Sequence, residues 1–104
     1  MTNQEFEIEL EKAILRSKKL LMKKRLEYSE KSGDRLNQFY RAGAAQDILP
    51  TEALMGMATK HITSIADMVK NPEKYNLRKW NEKITDLRNY TFLLDALIRD
   101  MGII

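Results

Sequence analysis

The chain has 104 residues, 43% of them hydrophobic and 32% charged, so we expect one domain, residues 1–104, with a modest single core. Low glycine and proline content is typical of a mostly helical protein, and the lack of cysteine excludes disulfides and thiolate metal sites and is compatible with a reducing cytoplasm. The net charge of +3 is too small to indicate nucleic-acid binding by itself, and no apolar run approaches the ~20 residues that cross a bilayer, so we expect no membrane association.

The first predicted helix, about residues 3–30, has an apolar stripe and a division of charge along its length. The stripe consists of Phe6, Leu10, Ile14, Ser17 and Leu21. Four acidic residues come first: Glu5, Glu7, Glu9 and Glu11. Seven basic residues follow without an intervening acid: Lys12, Arg16, Lys18, Lys19, Lys23, Lys24 and Arg25. The helix dipole favours this order and is a sufficient explanation; alternatively, the basic end attracts a polyphosphate or a nucleic-acid backbone.

Turn residues divide the rest of the chain into three further helices. Gly33 ends the first helix and Asp34 caps the second, while Thr51 is the expected N-cap of the third. Asn71 and Pro72 stop that helix. The second, third and fourth helices are predicted at about 35–46, 52–70 and 77–100. Because no segment alternates like a strand, we predict an all-α bundle of three long helices and one shorter helix.

The fourth helix carries two sets of residues on different faces. At about 100° per residue, Glu82, Asp86 and Asn89 share one face. The broader apolar stripe, predicted to be buried, consists of Trp80, Ile84, Leu87, Thr91, Leu94 and Ile98. Two carboxylates and an amide at this spacing suit Mg²⁺, which binds few protein oxygens and keeps sites for phosphate and water. The alternative interpretation is a solvated acidic face that makes only caps and salt bridges.

His61 is the only histidine, and it lies in the apolar stripe of the third helix. A single histidine there is either a hydrogen-bonded core residue or a ligand, and Lys60 beside it points off the stripe. With one histidine and no cysteine, the usual zinc ligand sets and nucleophilic triads cannot be assembled, and no glycine-rich phosphate loop is present.

A carboxylate site built from two helices remains. Glu27 and Glu30 end the first helix, and facing helices of a bundle can direct such carboxylates toward Asp86 and its neighbours on the fourth. Mg²⁺ held there would bridge phosphate oxygens and orient a water, with Lys24, Arg35 or Lys60 neutralising charge.

Two short motifs within residues 24–97 resemble small phage and prophage proteins of the nucleotide modification associated domain type. They are Lys24-x-x-Glu27-Tyr28 and Asp86-x-x-Asn89-Tyr90. The resemblance implies a role in phage DNA-base modification or nucleotide metabolism without specifying a reaction. The site that it implies consists of Lys24, Glu27, Tyr28, Asp86, Asn89 and Tyr90.

A more distant likeness is to the all-α nucleotide pyrophosphatases of the MazG and dimeric dUTPase group. That group binds Mg²⁺ through Glu-x-x-Glu on one helix and Glu-x-x-Asp on another. Glu27 and Glu30 match the first spacing, whereas Glu82 and Asp86 are four apart, and Lys83 stands where the spacing requires Glu. One metal ligand of that group is therefore missing.

The leading prediction is a Mg²⁺-dependent nucleotide- or deoxynucleotide-binding protein, with nucleoside triphosphate pyrophosphohydrolase activity as its enzymatic form. Catalytic roles are assigned to Lys24, Tyr28, Lys60 and His61, nucleotide contacts to Arg35, Asn89 and Tyr90, and metal binding to Glu27, Glu30, Glu82 and Asp86. Under this prediction we expect a homo-oligomer, because about 100 residues rarely enclose a nucleotide alone. The alternatives are a non-enzymatic accessory protein that binds a host protein, and, ranked last, DNA binding through the second and third helices. In either phage setting the expected location is the host cytoplasm.

Overall fold

The computed structural model describes residues 1–29 and 34–104, with side chains for 1–23 and 34–104, and every regular element in these ranges is helical. The helices are α1 (Asn3–Ser29), α2 (Asn37–Gln46), α3 (Pro50–Met68) and α4 (Leu77–Asp100), with a 3₁₀ turn at Pro72–Lys74. The all-α prediction is confirmed. No helix in the described ranges is long and apolar enough to cross a bilayer.

The first part of α1 extends beyond its neighbours. Thr2 and Glu5 form a reciprocal cap, in which each backbone N–H donates to the other side chain at 3.0 and 3.1 Å. Residues 1–12 are nevertheless all exposed. The predicted burial of the α1 stripe is therefore wrong for Phe6, Leu10 and Ile14, which are 57%, 46% and 49% exposed. Ser17, in contrast, is 1% exposed.

Arg88 of α4 makes the polar contact that holds α1. Its Nη1 donates to the carbonyl oxygen of Ala13 at 3.0 Å and to the hydroxyl of Ser17 at 2.9 Å. The guanidinium thus satisfies a buried hydroxyl and a helix carbonyl together, and such charge-assisted bonds are stronger than neutral ones.

A tight connection joins α2 to α3. Asp47 ends α2 in the left-handed conformation, with φ 56° and ψ 44°. Gly43 is buried there, and a Cβ at this position would lie 2.8 Å from the carbonyl oxygen of Ile48, so only glycine fits. At the other end, the predicted cap by Asp34 is wrong: α2 begins at Asn37 with Leu36 as its N-cap, and the Asp34 carboxylate accepts a hydrogen bond from the Leu36 N–H at 2.9 Å in the turn before the helix.

The start of α3 differs from the prediction. Thr51 is not the N-cap; the helix begins at Pro50, and Leu49 precedes it in an extended conformation. Proline is favoured in the first turn because it has no N–H to satisfy there. The Leu49 N–H donates to the Glu52 carboxylate at 3.1 Å, which provides the capping contact that Thr51 was expected to make.

The core face of α4 is not the one that its large apolar residues predict. Its most buried residues are Thr85, Asn89 and Leu97, at 5%, 6% and 0% exposure. In the predicted stripe, Ile84 is 42% exposed and Thr91 is also exposed, so the prediction is wrong for these two residues, whereas Leu94 packs against the core cluster as predicted. The central cluster unites α4 with α2, α3 and the turn before α2 through Leu36, Phe39, Leu54 and Leu97. The face of α4 that carries Asp86 and Asn89 is consequently on the inside of the bundle.

The Arg88 contact predicts a measurable loss of stability. Arg88→Met should lower the free energy of unfolding by about 2 kcal/mol, because the buried Ser17 hydroxyl and the Ala13 carbonyl lose their donor. Urea denaturation measures this change. Arg99→Met is the control, since Arg99 makes only an exposed ion pair with Asp95 and should change stability by no more than about 0.5 kcal/mol. Equal effects of the two substitutions would contradict this account.

A second prediction concerns Tyr40, whose hydroxyl donates to the Asp100 carboxylate at 2.7 Å. This bond, with burial and the negative charge of Asp100, raises the pKa of Tyr40 above its ordinary 10.0. The contribution to stability is complete below pH 10 and is lost as the pH rises through the raised pKa. In tyrosinate absorbance, the step that Tyr40→Phe removes should lie above pH 10, and Asp100→Asn should move this step to lower pH. An unchanged titration of Asp100→Asn would rule out the assigned cause.

Candidate functional site

A small pocket lies where α1, α2 and α4 meet. Its volume is about 30 Å³, enough for a water or a bare ion. The pocket is lined by Leu21, Arg35, Gln38, Phe39, Asp86, Asn89, Tyr90 and Leu93. Five of these side chains are polar, so the pocket suits a small polar or charged group.

Among the residues that line this pocket, Asn89 is the most informative. Its side chain is on the buried face of α4 and is 6% exposed. Its Oδ1 accepts no hydrogen bond from any residue that the structure describes. Leaving a buried acceptor without a donor costs about 1–3 kcal/mol, so an oxygen in this position suits a donor or cation that enters the pocket.

His61 connects α3 to the same residues of α4. Its Nδ1 lies 3.8 Å from the Asp86 Oδ2, which is an ion-pair distance when the imidazole is protonated and is too long for a hydrogen bond. Its ring lies against that of Tyr90, with centroids 5.3 Å apart and planes tilted by 39°. The His61 and Asp86 side chains are only 12% and 15% exposed, so their charges interact through a medium less polar than water.

Arg35 brings a positive charge to the pocket from the turn before α2. Its Nη1 donates to the Leu21 carbonyl of α1 at 3.3 Å, and its side chain lines the pocket. A guanidinium and a carboxylate therefore line one small space, a combination that recognises phosphate together with a cation.

Several residues predicted to form the site are close together in the structure. Arg35, His61, Asp86, Asn89 and Tyr90 gather from the pre-α2 turn, α3 and α4.

Others lie apart or are not described. Glu82 and Lys60 are exposed, on the N-terminal part of α4 and on the outer side of α3. The side chains of Lys24, Glu27 and Tyr28, and all of Glu30, lie outside the described residues. Within the ranges that are described, no group of three or more His, Asp or Glu side chains is placed to hold a metal ion.

Sequence reasoning missed Gln38, Phe39 and the Arg88 contact. Gln38 and Phe39 follow Arg35 by one helical turn, a spacing that places them on the same side once Arg35 is assigned to the site. No sequence pattern indicated the contact between Arg88 and α1, because a single arginine on a charged helix is usually solvated.

Comparison of the chain with protein-family models, with curated proteins and with solved structures finds no match. The resemblance to nucleotide modification associated proteins therefore stays a prediction from short motifs.

The unsatisfied oxygen of Asn89 predicts an unusual effect on stability. Asn89→Leu should raise the free energy of unfolding by about 1 kcal/mol, since it replaces a buried amide without a donor by an apolar group of similar size. Urea denaturation without added ligand measures it, and Thr85→Val, one turn earlier on the same face, is the control for added apolar burial. A loss of stability in Asn89→Leu would mean that the amide is already satisfied.

Proposed function

We propose that the protein binds a nucleotide or deoxynucleotide together with Mg²⁺, and that the pocket beside Asp86 and Asn89 holds the metal. The observation that carries this proposal is the buried Asn89 Oδ1, which has no donor among the described residues and lies in the same pocket wall as a carboxylate. Mg²⁺ prefers oxygen ligands of these two kinds.

Two protein oxygens are enough for this role. Mg²⁺ is commonly bound by one or two protein groups, with substrate phosphates and waters as the remaining ligands. Asp86 and Asn89 are three residues apart on α4 and therefore face the same way. A third and fourth ligand from the predicted carboxylates Glu27, Glu30 and Glu82 would strengthen the site.

The size of the pocket indicates how a nucleotide would lie. About 30 Å³ accommodates a metal ion and a coordinated oxygen but not a nucleoside. One phosphate oxygen would therefore reach the metal in the pocket, and the rest of the nucleotide would stay at its mouth. Arg35 would bind phosphate oxygens, since a guanidinium pairs with phosphate in a bidentate manner.

The catalytic activity proposed for this site is the pyrophosphohydrolysis of a nucleoside triphosphate. Mg²⁺ held by Asp86 and Asn89 would orient a water for attack on the α-phosphorus of a nucleoside triphosphate; the bond to the bridging oxygen would break, and the products would be a nucleoside monophosphate and pyrophosphate. His61, whose Nδ1 lies 3.8 Å from the Asp86 Oδ2, would accept the proton of that water. Lys24, Tyr28 and Lys60 stay predicted catalytic residues.

The wider setting belongs to the same proposal. A phage or prophage protein of nucleotide metabolism would act in the host cytoplasm as a homo-oligomeric bundle of three long helices and one shorter helix.

The second candidate is an accessory protein that binds a host protein; the exposed Phe6, Ile8 and Leu10 of α1 favour it. A Glu82/Asp86 double alanine variant would lose nucleotide binding under the first function and keep partner binding under the second.

Thermal unfolding with Mg²⁺ and each common nucleoside and deoxynucleoside triphosphate tests the proposal. At a nucleotide concentration about 100 times Kd, the Tm should rise by roughly 10 °C or more, because the ligand binds only the folded state. Asp86→Asn should abolish the rise, and so should omission of Mg²⁺.

Asp95→Asn is the matched control, because it removes an exposed carboxylate from the same helix. It should leave the shift intact. Absence of a shift with every nucleotide, or a shift that Asp86→Asn keeps, would overturn the proposal. Chromatographic detection of pyrophosphate separates hydrolysis from binding alone.

A further inference from the structure

The N-terminal half of α1 presents large apolar side chains that nothing in the described chain covers. Phe6, Ile8 and Leu10 are 57%, 48% and 46% exposed, and all of residues 1–12 are exposed. A short helical segment without tertiary contacts is marginally stable in water, and exposed apolar patches mark interaction sites. The fold therefore leaves a surface that requires a partner.

A groove between α1 and α4 continues this apolar surface. Two adjoining hollows of 270 and 300 Å³ share the residues Leu21, Met22 and Phe92. Ile14 and Lys18 line the end of the groove toward the N-terminus of α1. The groove is almost wholly apolar and large enough for an aromatic side chain.

The charges of α1 indicate what covers it. Residues 5–11 include four glutamates and no basic residue, and residues 12–23 include five basic residues and no acid. The helix dipole favours this order, but it acts mainly within the first and last turns, so pairing with another charged helix is the stronger explanation for the charges in the middle of the 27-residue α1. A helix with one acidic and one basic half is complementary to an antiparallel copy of itself.

We propose that α1 pairs antiparallel with α1 of a second copy of this chain about a two-fold axis between Ile14 and Leu15. An isologous interface of this kind requires one self-complementary patch. On α1, the residues Glu7, Glu11, Ile14, Lys18 and Met22 lie within one 100° sector. In this register Glu11 of one subunit is opposite Lys18 of the other.

The same register brings the partner to the open end of the groove. Met22 of one subunit, which lines the groove with Phe92, comes opposite Glu7 of the other, while Phe6 points about 120° away from the centre of the sector and stays outside the interface. The groove shares Leu21, Arg35 and Leu93 with the small pocket, but the pairing is argued from the exposure and the charges of α1, so this inference does not rest on the proposed function.

A charge-swap experiment tests the pairing in the full-length chain. Sedimentation equilibrium of the wild type should show a reversible dimer. Glu7→Lys/Glu11→Lys and Lys18→Glu/Lys19→Glu should each weaken dimerisation about tenfold or more, because attraction becomes repulsion at both ends of the interface. An equimolar mixture of the two variants should restore the dimer. Lys70→Glu/Lys74→Glu, which alters two exposed lysines elsewhere, should leave it unchanged.

Disulfide crosslinking tests the register, since the chain has no native cysteine. Ile14→Cys lies next to the axis and should form a disulfide-linked dimer on oxidation. Ile8→Cys is the control: its side chain is equally exposed, but about 20 Å separates it from its symmetry mate along the helices, so it should not crosslink. A monomeric wild type at all concentrations, α1 binding only to a different protein, or equal crosslinking at both positions would overturn the proposal.

Discussion

The arrangement of the bundle depends on the bond between Arg88 and α1. Most apolar side chains of α1 are exposed, so burial alone gives this helix little reason to lie against α4. The Arg88 guanidinium supplies the missing constraint by donating to Ala13 and to the buried Ser17 hydroxyl. Charged hydrogen bonds are directional, whereas apolar contact is not, so this contact sets the position of α1 along α4. Arg35 adds a second such bond, to the Leu21 carbonyl.

The pocket is a consequence of that placement. Leu21 lines the pocket from α1, and its position follows from the Arg88 contact one turn earlier, at Ser17, and from the Arg35 bond to its own carbonyl. On α4, Arg88 faces α1, while Asp86, Asn89 and Tyr90 face the pocket and His61. Residues 86–90 of α4 thus both bind α1, through Arg88, and line the pocket. Asn89 opposes the stability of the fold there, because its buried oxygen has no donor among the described residues, and such conflicts concentrate at functional sites.

The sequence predicted the helices far better than it predicted which of their faces are buried. Local signals such as Pro72 and Asn76 act on the backbone within a few residues, and they placed α4 at Leu77–Asp100 as expected. Burial depends on where other helices lie, which no local pattern contains. Ile84 was expected inside and is exposed, whereas Asn89 was expected beside the core and is buried. The grouping of Asp86, Asn89 and Tyr90 was predictable from helical spacing, but the approach of His61 from α3 was not.

The pocket beside Asp86 and Asn89 and the apolar groove share lining residues, which couples the two proposals. Leu21, Arg35 and Leu93 line both spaces. A second subunit bound in the groove would limit the motion of the Arg35 and Leu21 side chains on the side away from the pocket. A ligand that binds in the pocket would then lose less conformational entropy in ordering these side chains. By linkage, a ligand that orders Arg35 must then strengthen dimerisation by the same factor by which dimerisation strengthens ligand binding. Arg88 sets the orientation of α1, and α1 lines both the pocket and the groove. Both spaces therefore depend on the Arg88 contact.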